Sequence, residues 1–221
     1  DADKLIEQGK VLVNGQVAGM GQQVEETDTV QVGKKILQGK QTQKVLAFYK
    51  PVGVTCTERD PHAEKKIMDM IRYPERLTYA GRLDKDSEGL ILLTNDGDLI
   101  NAMMRGANRH EKEYIVKTDR EITPDFLEKM AKGIYLKDLD ITTRECKIEQ
   151  IGKFTFRIVL THGVNRQIRR MCEACGYRVK ALKRIRIMNI LLGDLKPGKW
   201  REVTGEELEQ LQRDTGMLNR N

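Results

Sequence analysis

The stretch Tyr79-Ala80-Gly81-Arg82-Leu83-Asp84-Lys85-Asp86-Ser87-Glu88-Gly89 lies wedged between two apolar strand candidates, at 77–80 and 89–94. Five charged side chains fall within it. Charge this dense belongs on a short loop held by rigid flanks, where functional groups are commonly presented. Whatever fold the chain adopts must supply those flanks. Asp84, Asp86 and Glu88 followed by Gly89 superficially match the start of a calcium loop. That template asks for Asp or Asn at its fifth position and Glu at its twelfth, where this chain has Glu88 and Asn95, and its flanks are helices rather than strands.

From Lys44 onward the pattern is a mixed α+β domain. Strands are expected at 44–49, 77–80, 89–94, 113–118, 143–150, 153–161 and 179–190, bounded by Gly, Pro and Asn-Asp-Gly turns. Helices are expected at 63–71, 98–105, 124–131, 165–175 and 205–213. Thr123-Pro124 offers an N-cap followed by a proline at the first helical position, and Thr204-Gly205-Glu206-Glu207 reads as a capping box. Gly133 and Gly176 stand where helix-ending glycines belong.

Before Lys44 the chain is different. Asn14-Gly15 between two short apolar runs is a strong hairpin signal, a third strand is expected at 29–32, and Lys4–Gln8 reads as the tail of a helix. Between Gly33 and Gln43 apolar residues thin out among Gly, Lys and Gln, as in a linker. The expected division is a small N-terminal module with linker over 1–40, its true start missing, and a larger domain over 44–221. With 39% hydrophobic and 33% charged residues the composition is that of a globular protein. No apolar run approaches the roughly 18 residues of a membrane span, and no secretory leader opens the chain, so a cytoplasmic setting without membrane contact is expected. Cys56, Cys146, Cys172 and Cys175 are expected as reduced thiols. The Cys172–Cys175 spacing lacks the second ligand pair of a zinc site.

The net charge is +6, which favours a polyanionic partner. The charge has a focus: between Arg166 and Arg186 stand eight Lys or Arg (Arg166, Arg169, Arg170, Arg178, Lys180, Lys183, Arg184, Arg186) against one acid, Glu173. A solvated helix face is one reading of such a run. Binding of phosphates is the other, because cations that neutralise a backbone together release its counterions together. Arg166 and Arg169, spaced i and i+3, share a helix face, and an arginine there can hold a carboxylate such as Asp84 in its charged form. Tyr114, on the strand that begins Glu111-Lys112-Glu113, is either ordinary sheet core or a stacking and proton-handling group. Lys50-Pro51-Val52-Gly53 closes the first strand of the larger domain as a turn.

Taken in order, these segments resemble the RsuA/RluF family of bacterial ribosomal pseudouridine synthases. The resemblance runs from about Lys44 to Thr204 and is carried by KPxG at 50–53, GRLDxDSxGL at 81–90, TNDGDL at 94–99, KEY at 112–114 and NRQIRRM at 165–171. The stretch from Asn108 to Tyr114 looks most like the RluF branch, which acts on large-subunit ribosomal RNA. The N-terminal hairpin region resembles the later half of the small RNA-binding module, first known from a ribosomal small-subunit protein, that precedes the catalytic domain in this family.

The resemblance implies the pseudouridine synthase catalytic fold, a mixed and mainly antiparallel sheet with a central RNA-binding cleft, behind a truncated RNA-binding module. It implies an isomerase that needs no cofactor and no metal. Uridine loses its bond between base nitrogen and sugar, the base turns, and the ring rejoins through carbon five, which then gives up a proton. By the same resemblance Asp84 is the catalytic carboxylate, Tyr114 carries the target base, and Arg169 pairs with Asp84. Arg82 and Arg166 receive the extruded nucleotide, Lys50 supports the site, and Arg170, Lys112, Lys183, Arg184 and Arg186 contact RNA. The expected partner is a stem-loop of 23S ribosomal RNA, with transfer RNA as a second candidate, bound by a monomer. Two other readings are a non-catalytic RNA-binding or ribosome-assembly protein, in which Asp84 only forms a structural ion pair, and a glycoside hydrolase using Asp84 and Asp86. The full motif set argues against both.

Overall fold

The structure is a computed structural model that describes residues 2–25, 28–33, 35–37, 43–57, 65–105 and 109–218. The chain divides into two compact units, Asp1–Gln43 and Lys44–Asn221.

In the first unit a short helix α1 (Ala2–Glu7) precedes β1 (Val11–Val13), β2 (Gln16–Val17), β3 (Val30–Val32) and β4 (Lys35–Leu37). They form one sheet in the order β2-β1-β3-β4. The β1–β2 hairpin turns at Asn14 and Gly15, both at positive φ (51° and 81°), the conformation that favours Asn-Gly in two-residue hairpins. The Asn14 side chain then clasps the next segment, accepting from the Thr29 amide at 2.9 Å and donating to Asp28 Oδ1 at 2.8 Å. Val11, Val13 and Ala18, with Leu5, Ile6, Val30 and Val32 against them, make a small core. Strand β4 falls where composition suggests a linker. Its antiparallel pairing with β3 gives the polar segment backbone partners that composition does not reveal.

The second unit contains β5 (Val45–Lys50), a 3₁₀ turn (Ile67–Met70), β6 (Thr78–Ala80), β7 (Glu88–Thr94), α2 (Gly97–Met104), β8 (Lys112–Thr118) and α3 (Pro124–Lys132). A small hairpin, β9 (Tyr135–Leu136) and β10 (Ile141–Thr142), leads to β11 (Lys147–Gly152), β12 (Thr155–Leu160), α4 (Gln167–Ala174), β13 (Val179–Ile187), β14 (Ile190–Leu191), β15 (Trp200–Glu202) and α5 (Gly205–Asp214). The main sheet runs β11-β12-β8-β13-β7-β5-β15, with β14 on β13 and β6 on β7. Only β7 and β13, at its centre, pair in parallel among these described strands.

Alternation along the central strands builds a core on each face. Val45, Ala47 and Tyr49 pack with Leu90 and Leu92 against Leu99 and Met103 of α2 and Leu211 of α5. Leu46 and Phe48 pack with Ile91 and Leu93 against Ile67 and Leu77. Every residue of β5 is buried, Lys50 included, as expected of a strand covered on both sides. A third core joins β8 and β12 to α3 and α4 through Val116, Phe156, Phe126 and Met171.

Several expectations change. Of the helix expected at 63–71 only Ile67–Met70 is helical, as a 3₁₀ turn, because Lys66 is drawn into an extended bridge with Thr55 and Ile71 is extended again; residues 63 and 64 lie outside the described set. The strand expected over 179–190 breaks at Met188 (φ 52°) into β13 and β14. Strand β15 pairs with β5 in a segment that carries no strand signal. Thr123 does cap α3, accepting from the Phe126 amide at 3.2 Å. Thr204 sits at the start of α5 without a side-chain capping bond, and Glu207 is instead held by Arg201 at 2.6 and 2.8 Å.

Candidate active site

The loop between β6 and β7 is fastened from beneath. Lys50, fully buried at the end of β5, donates to the carbonyls of Pro51 (2.9 Å) and Val54 (2.8 Å) and so fixes the turn that follows. Gly53 in that turn, at φ 89°, donates its amide to the Lys85 carbonyl at 2.7 Å. Burial pulls the Lys50 pKa below the usual lysine value against the opposing fields of groups that include Asp84, Asp86 and Glu88. A buried ammonium with carboxylates above it is compensated by them. From the other side Arg184, 2% exposed, donates to the Leu90 carbonyl (2.7 Å) and the Gly81 carbonyl (2.8 Å). It therefore pins the start of the loop to β7. Gly89 makes this approach possible: a side-chain carbon there would land on the Arg184 backbone.

Asp84 is presented at the top of this loop with its side chain one-third exposed. Arg166 Nη1 lies 3.3 Å from Asp84 Oδ2 and 3.3 Å from Asp86 Oδ1. Arg166 precedes α4 in the left-handed region (φ 51°, ψ 32°), an unfavourable conformation for a side-chain-bearing residue and one found at functional sites. The contact with Asp86, then burial acting against it, set the Arg166 guanidinium, whose pKa is raised on balance.

The expected pairing of Arg169 with Asp84 is replaced by another arrangement. Arg169, in the first turn of α4, is 8% exposed and donates from Nη2 to the Asp86 carbonyl (3.1 Å) and to Ser87 Oγ (3.1 Å), with the Asp86 carboxylate at 3.2 Å. The two arginines at the start of α4, one ahead of the helix and one in its first turn, therefore divide the work. Arg169 holds the loop backbone, and Arg166, reaching out from the left-handed position ahead of the helix, meets the Asp84 carboxylate.

Asp84 opens on a cavity of about 470 Å³ whose walls include Tyr114, Arg82, Lys112, Arg166 and Arg169. That volume lies within the range of roughly 300–1,000 Å³ typical of small-molecule pockets. Lys112 and Tyr114 are two residues apart on β8 and share a face of the sheet. Burial, with the Arg184 charge added, pulls the Lys112 pKa down to about 8. His110 and His162 also line the cavity, and neither was singled out in the sequence. Both are held below the ordinary histidine value, first by burial and then by neighbouring cations that include Lys112. His110 Nε2, His162 Nδ1 and Arg169 Nε are buried without hydrogen-bond partners among the described residues.

The basic run is less of an open patch than its charge count suggests. Arg184 is internal. Arg186 is bound to Glu113 (2.6 Å) and Glu111 (3.0 Å), Arg170 to Asp138 and to Asn165 (2.9 Å), and Lys183 lies 3.9 Å from Glu88 and over the Tyr49 ring. Arg82 and Arg166 are exposed at the cavity mouth. A strand at the centre of a sheet needs partners for its inward charges, which a tally along the sequence does not show. Cys172 sits in the core of α4 with its thiol pushed up to about 12 by burial, and no metal-binding cluster of His, Cys, Asp or Glu occurs among the described residues.

Residues 44–174 match the family described as RNA pseudouridylate synthase, and residues 1–30 match the S4 domain. A dual-specificity RNA pseudouridine synthase RluF from Escherichia coli (strain K12) is 44% identical over 213 residues, spanning 96% of this chain and 72% of the relative. An uncharacterized RNA pseudouridine synthase of Aquifex aeolicus is 35% identical over 218 residues, spanning 96% of this chain and 90% of the relative. Among solved structures, a crystal structure of a pseudouridylate synthase superposes with a TM-score of 0.72 at 28% identity, covering 95% of this chain and 92% of that one.

Proposed function

Since the chain belongs to the RNA pseudouridylate synthase family, in its RsuA/RluF group, we propose that it isomerises a uridine of large-subunit ribosomal RNA to pseudouridine with Asp84 as the essential carboxylate. The observation that carries this reading is Asp84 at the mouth of a cavity walled by Tyr114, with a guanidinium 3.3 Å away. The domain assignment follows: residues 44–221 form the catalytic domain and residues 1–40 an RNA-binding module with its linker. In this reading the enzyme acts as a monomer in the cytoplasm, with transfer RNA as a second candidate substrate; the Escherichia coli relative is named as a dual-specificity RNA pseudouridine synthase.

A uridine within folded RNA must leave its stack to reach such a cavity, at a cost of a few kcal/mol. Arg82 and Arg166 at the mouth offset that cost by meeting the backbone. With the nucleotide inside, the Asp84 carboxylate can free the base in either of two ways. It either attacks the anomeric carbon as the bond to the base nitrogen breaks, or takes the neighbouring sugar proton to leave a glycal. The freed uracil keeps the bonding pair, turns on Tyr114, and forms a bond from carbon five to the anomeric carbon, as the ester bond from Asp84 to that carbon breaks on the first route or Asp84 returns the sugar proton on the second. The proton on carbon five is then lost to the Tyr114 oxygen, whose own hydroxyl proton passes to solvent in the same step. The enclosed wall keeps the detached base within reach while it turns.

Incubation with ribosomal RNA bearing tritium at carbon five of uridine tests this directly. Wild-type protein releases tritium, Asp84→Asn does not, and Tyr114→Phe binds RNA without completing the product. Equal release by wild type and Asp84→Asn would sink the assignment. RNA binding with no release by either would favour a non-catalytic RNA-binding protein.

A further inference from the structure

Beside the cavity assigned to the target nucleotide lies a second, of about 550 Å³, which the catalytic reading leaves unused. Arg82, Leu83, Asp84 and Arg166 line both, so the two spaces meet at the Asp84 carboxylate. The rest of the described wall comes from the turn after β5, with Val52, Gly53 and Cys56 among its residues, and from Lys85 and Asp86 of the Asp84 loop. That turn is held firmly. Lys50 donates to its Pro51 and Val54 carbonyls, and the Gly53 amide is tied to the Lys85 carbonyl. Yet Val52 is 59% exposed. A lone exposed valine is ordinary on a surface. This one lines a cavity on a turn tied at both ends, has few rotamers to lose when covered, and stands next to Gly53, where an added side-chain carbon would meet nothing within 4 Å.

The wall combines an accessible aliphatic surface with charge. Arg82, Lys85 and Arg166 supply three cations against Asp84 and Asp86. The Asp86 carboxylate is already met by Arg166 (3.3 Å) and Arg169 (3.2 Å). Arg82 and Lys85 are exposed and form no ion pair among the described residues. An apolar surface edged by unpaired cations suits a nucleotide, whose base lies on the aliphatic group while its phosphate meets the cations. A small anion would use the cations and leave Val52 wet. Continuity favours one nucleotide in particular. A strand that delivers its uridine to the first cavity brings a connecting phosphate to the boundary, where Arg82 and Arg166 belong to both spaces, and the adjoining base then faces the second. Extruding a base also strips one face of its neighbour of its stacking partner, and an apolar surface that covers this face lowers the cost of extrusion.

We propose that the second cavity seats the nucleotide adjoining the target uridine, its base on Val52 and the connecting phosphate at Arg82 and Arg166, so that two consecutive nucleotides straddle Asp84. The proposal rests on the pseudouridine synthase reading and adds to it a subsite through which the neighbouring base contributes to the choice of uridine.

The test uses the full chain and a ribosomal RNA stem-loop carrying the target uridine, prepared intact or with an abasic site directly 5′ or directly 3′ of that uridine. Tritium release gives kcat/KM for each. On wild type, one of the two abasic RNAs loses about tenfold relative to intact RNA, the order expected for uncovering one valine-sized contact. Val52→Ser removes the apolar surface. It should slow intact RNA about tenfold and bring intact and abasic RNA within about threefold of each other, since the two changes delete the same contact. Val52→Ile keeps the surface and retains most of the wild-type ratio. Both variants melt near wild type, because Val52 is exposed and its turn is held by Lys50; Val52→Ala replaces Val52→Ser if that variant does not. A wild type indifferent to both abasic sites, or an unchanged ratio in Val52→Ser, overturns the proposal while leaving the catalytic reading intact. Wild type inert on intact RNA overturns both.

Discussion

Arg166 Nη1 stands 3.3 Å from Asp84 Oδ2 across 82 residues of chain. The contact depends on an arginine held at φ 51°, so the side chain and the backbone conformation are separable by mutation. Arg166→Gly removes the guanidinium while relieving the left-handed backbone. Charge-assisted hydrogen bonds of this kind contribute roughly 1.5–3 kcal/mol, or about 10- to 150-fold in rate. The expected outcome is a loss of that order in kcat with a melting temperature no lower than that of wild type. A lower melting temperature with kcat retained would show a structural tie rather than a catalytic one.

Lys112 is a cation below about pH 8 and loses its charge above it. If it meets the bound RNA as an ammonium, kcat/KM falls as pH rises through about 8. Lys112→Arg, which stays charged, moves that alkaline limb upward. Stability has the opposite sign. The folded pKa is lowered from 10.5, so between about pH 8 and 10.5 the unfolded chain binds more protons and stability from this group rises with pH. Denaturant titrations of wild type and Lys112→Met across that window should diverge accordingly. An alkaline limb unmoved in Lys112→Arg would assign it to another group.

Arg82 and Arg184 are alike in charge and opposite in placement. Arg82 is exposed at the cavity mouth, whereas Arg184 is 2% exposed and bound to two backbone carbonyls. Arg82→Ala should lower the slope of log affinity against log salt by about 0.7–0.9. Arg184→Met should leave that slope unchanged and cost about 3 kcal/mol or more of stability, since the carbonyls of Gly81 and Leu90 lose their donor. Fluorescence anisotropy at several salt concentrations, with urea melts, separates the two.

Gly89→Ala tests the centre of the sheet. Gly89 sits at φ 113° opposite Arg184, and the added methyl would collide with the Arg184 backbone. A loss of more than about 2 kcal/mol is expected. Gly15→Ala, in open space at φ 81°, should cost less, because only the turn conformation opposes it. Equal effects would mean that the close approach of the strands yields easily.

The elements that could be read from sequence are those fixed by neighbours in the chain. The Asn14-Gly15 hairpin, the Thr123 cap on α3 and the exposed carboxylate loop around Asp84 all depend on a few adjacent residues. Strand β15 was illegible because the strand that completes it, β5, belongs to the beginning of the domain. The choice between Arg166 and Arg169 was illegible for a related reason. Helical spacing puts both on one face, but Arg166 stands ahead of the helix in a left-handed conformation, which spacing cannot express. Counting cations between 166 and 186 also overstated the RNA-facing charge, since burial and pairing of Arg184 and Arg186 depend on where β13 lies in the sheet. His110 and His162 carried no local signal at all; their unpartnered nitrogens become visible only once β8, β12 and α2 surround one cavity.

The parallel pairing of β7 with β13 has a consequence in time as well as in space. Arg184, which pins the Asp84 loop, reaches Leu90 across 94 residues of chain. Closure of so long a loop must precede any gain from the contacts it makes, and such non-local pairings form slowly. During synthesis, the residues that position Asp84 therefore remain unassembled until β13 has left the ribosome. The candidate site is assembled from two strands made many residues apart, Arg184 and Leu90 being separated by 94 residues, so a partly made chain holds the motif without the geometry that uses it.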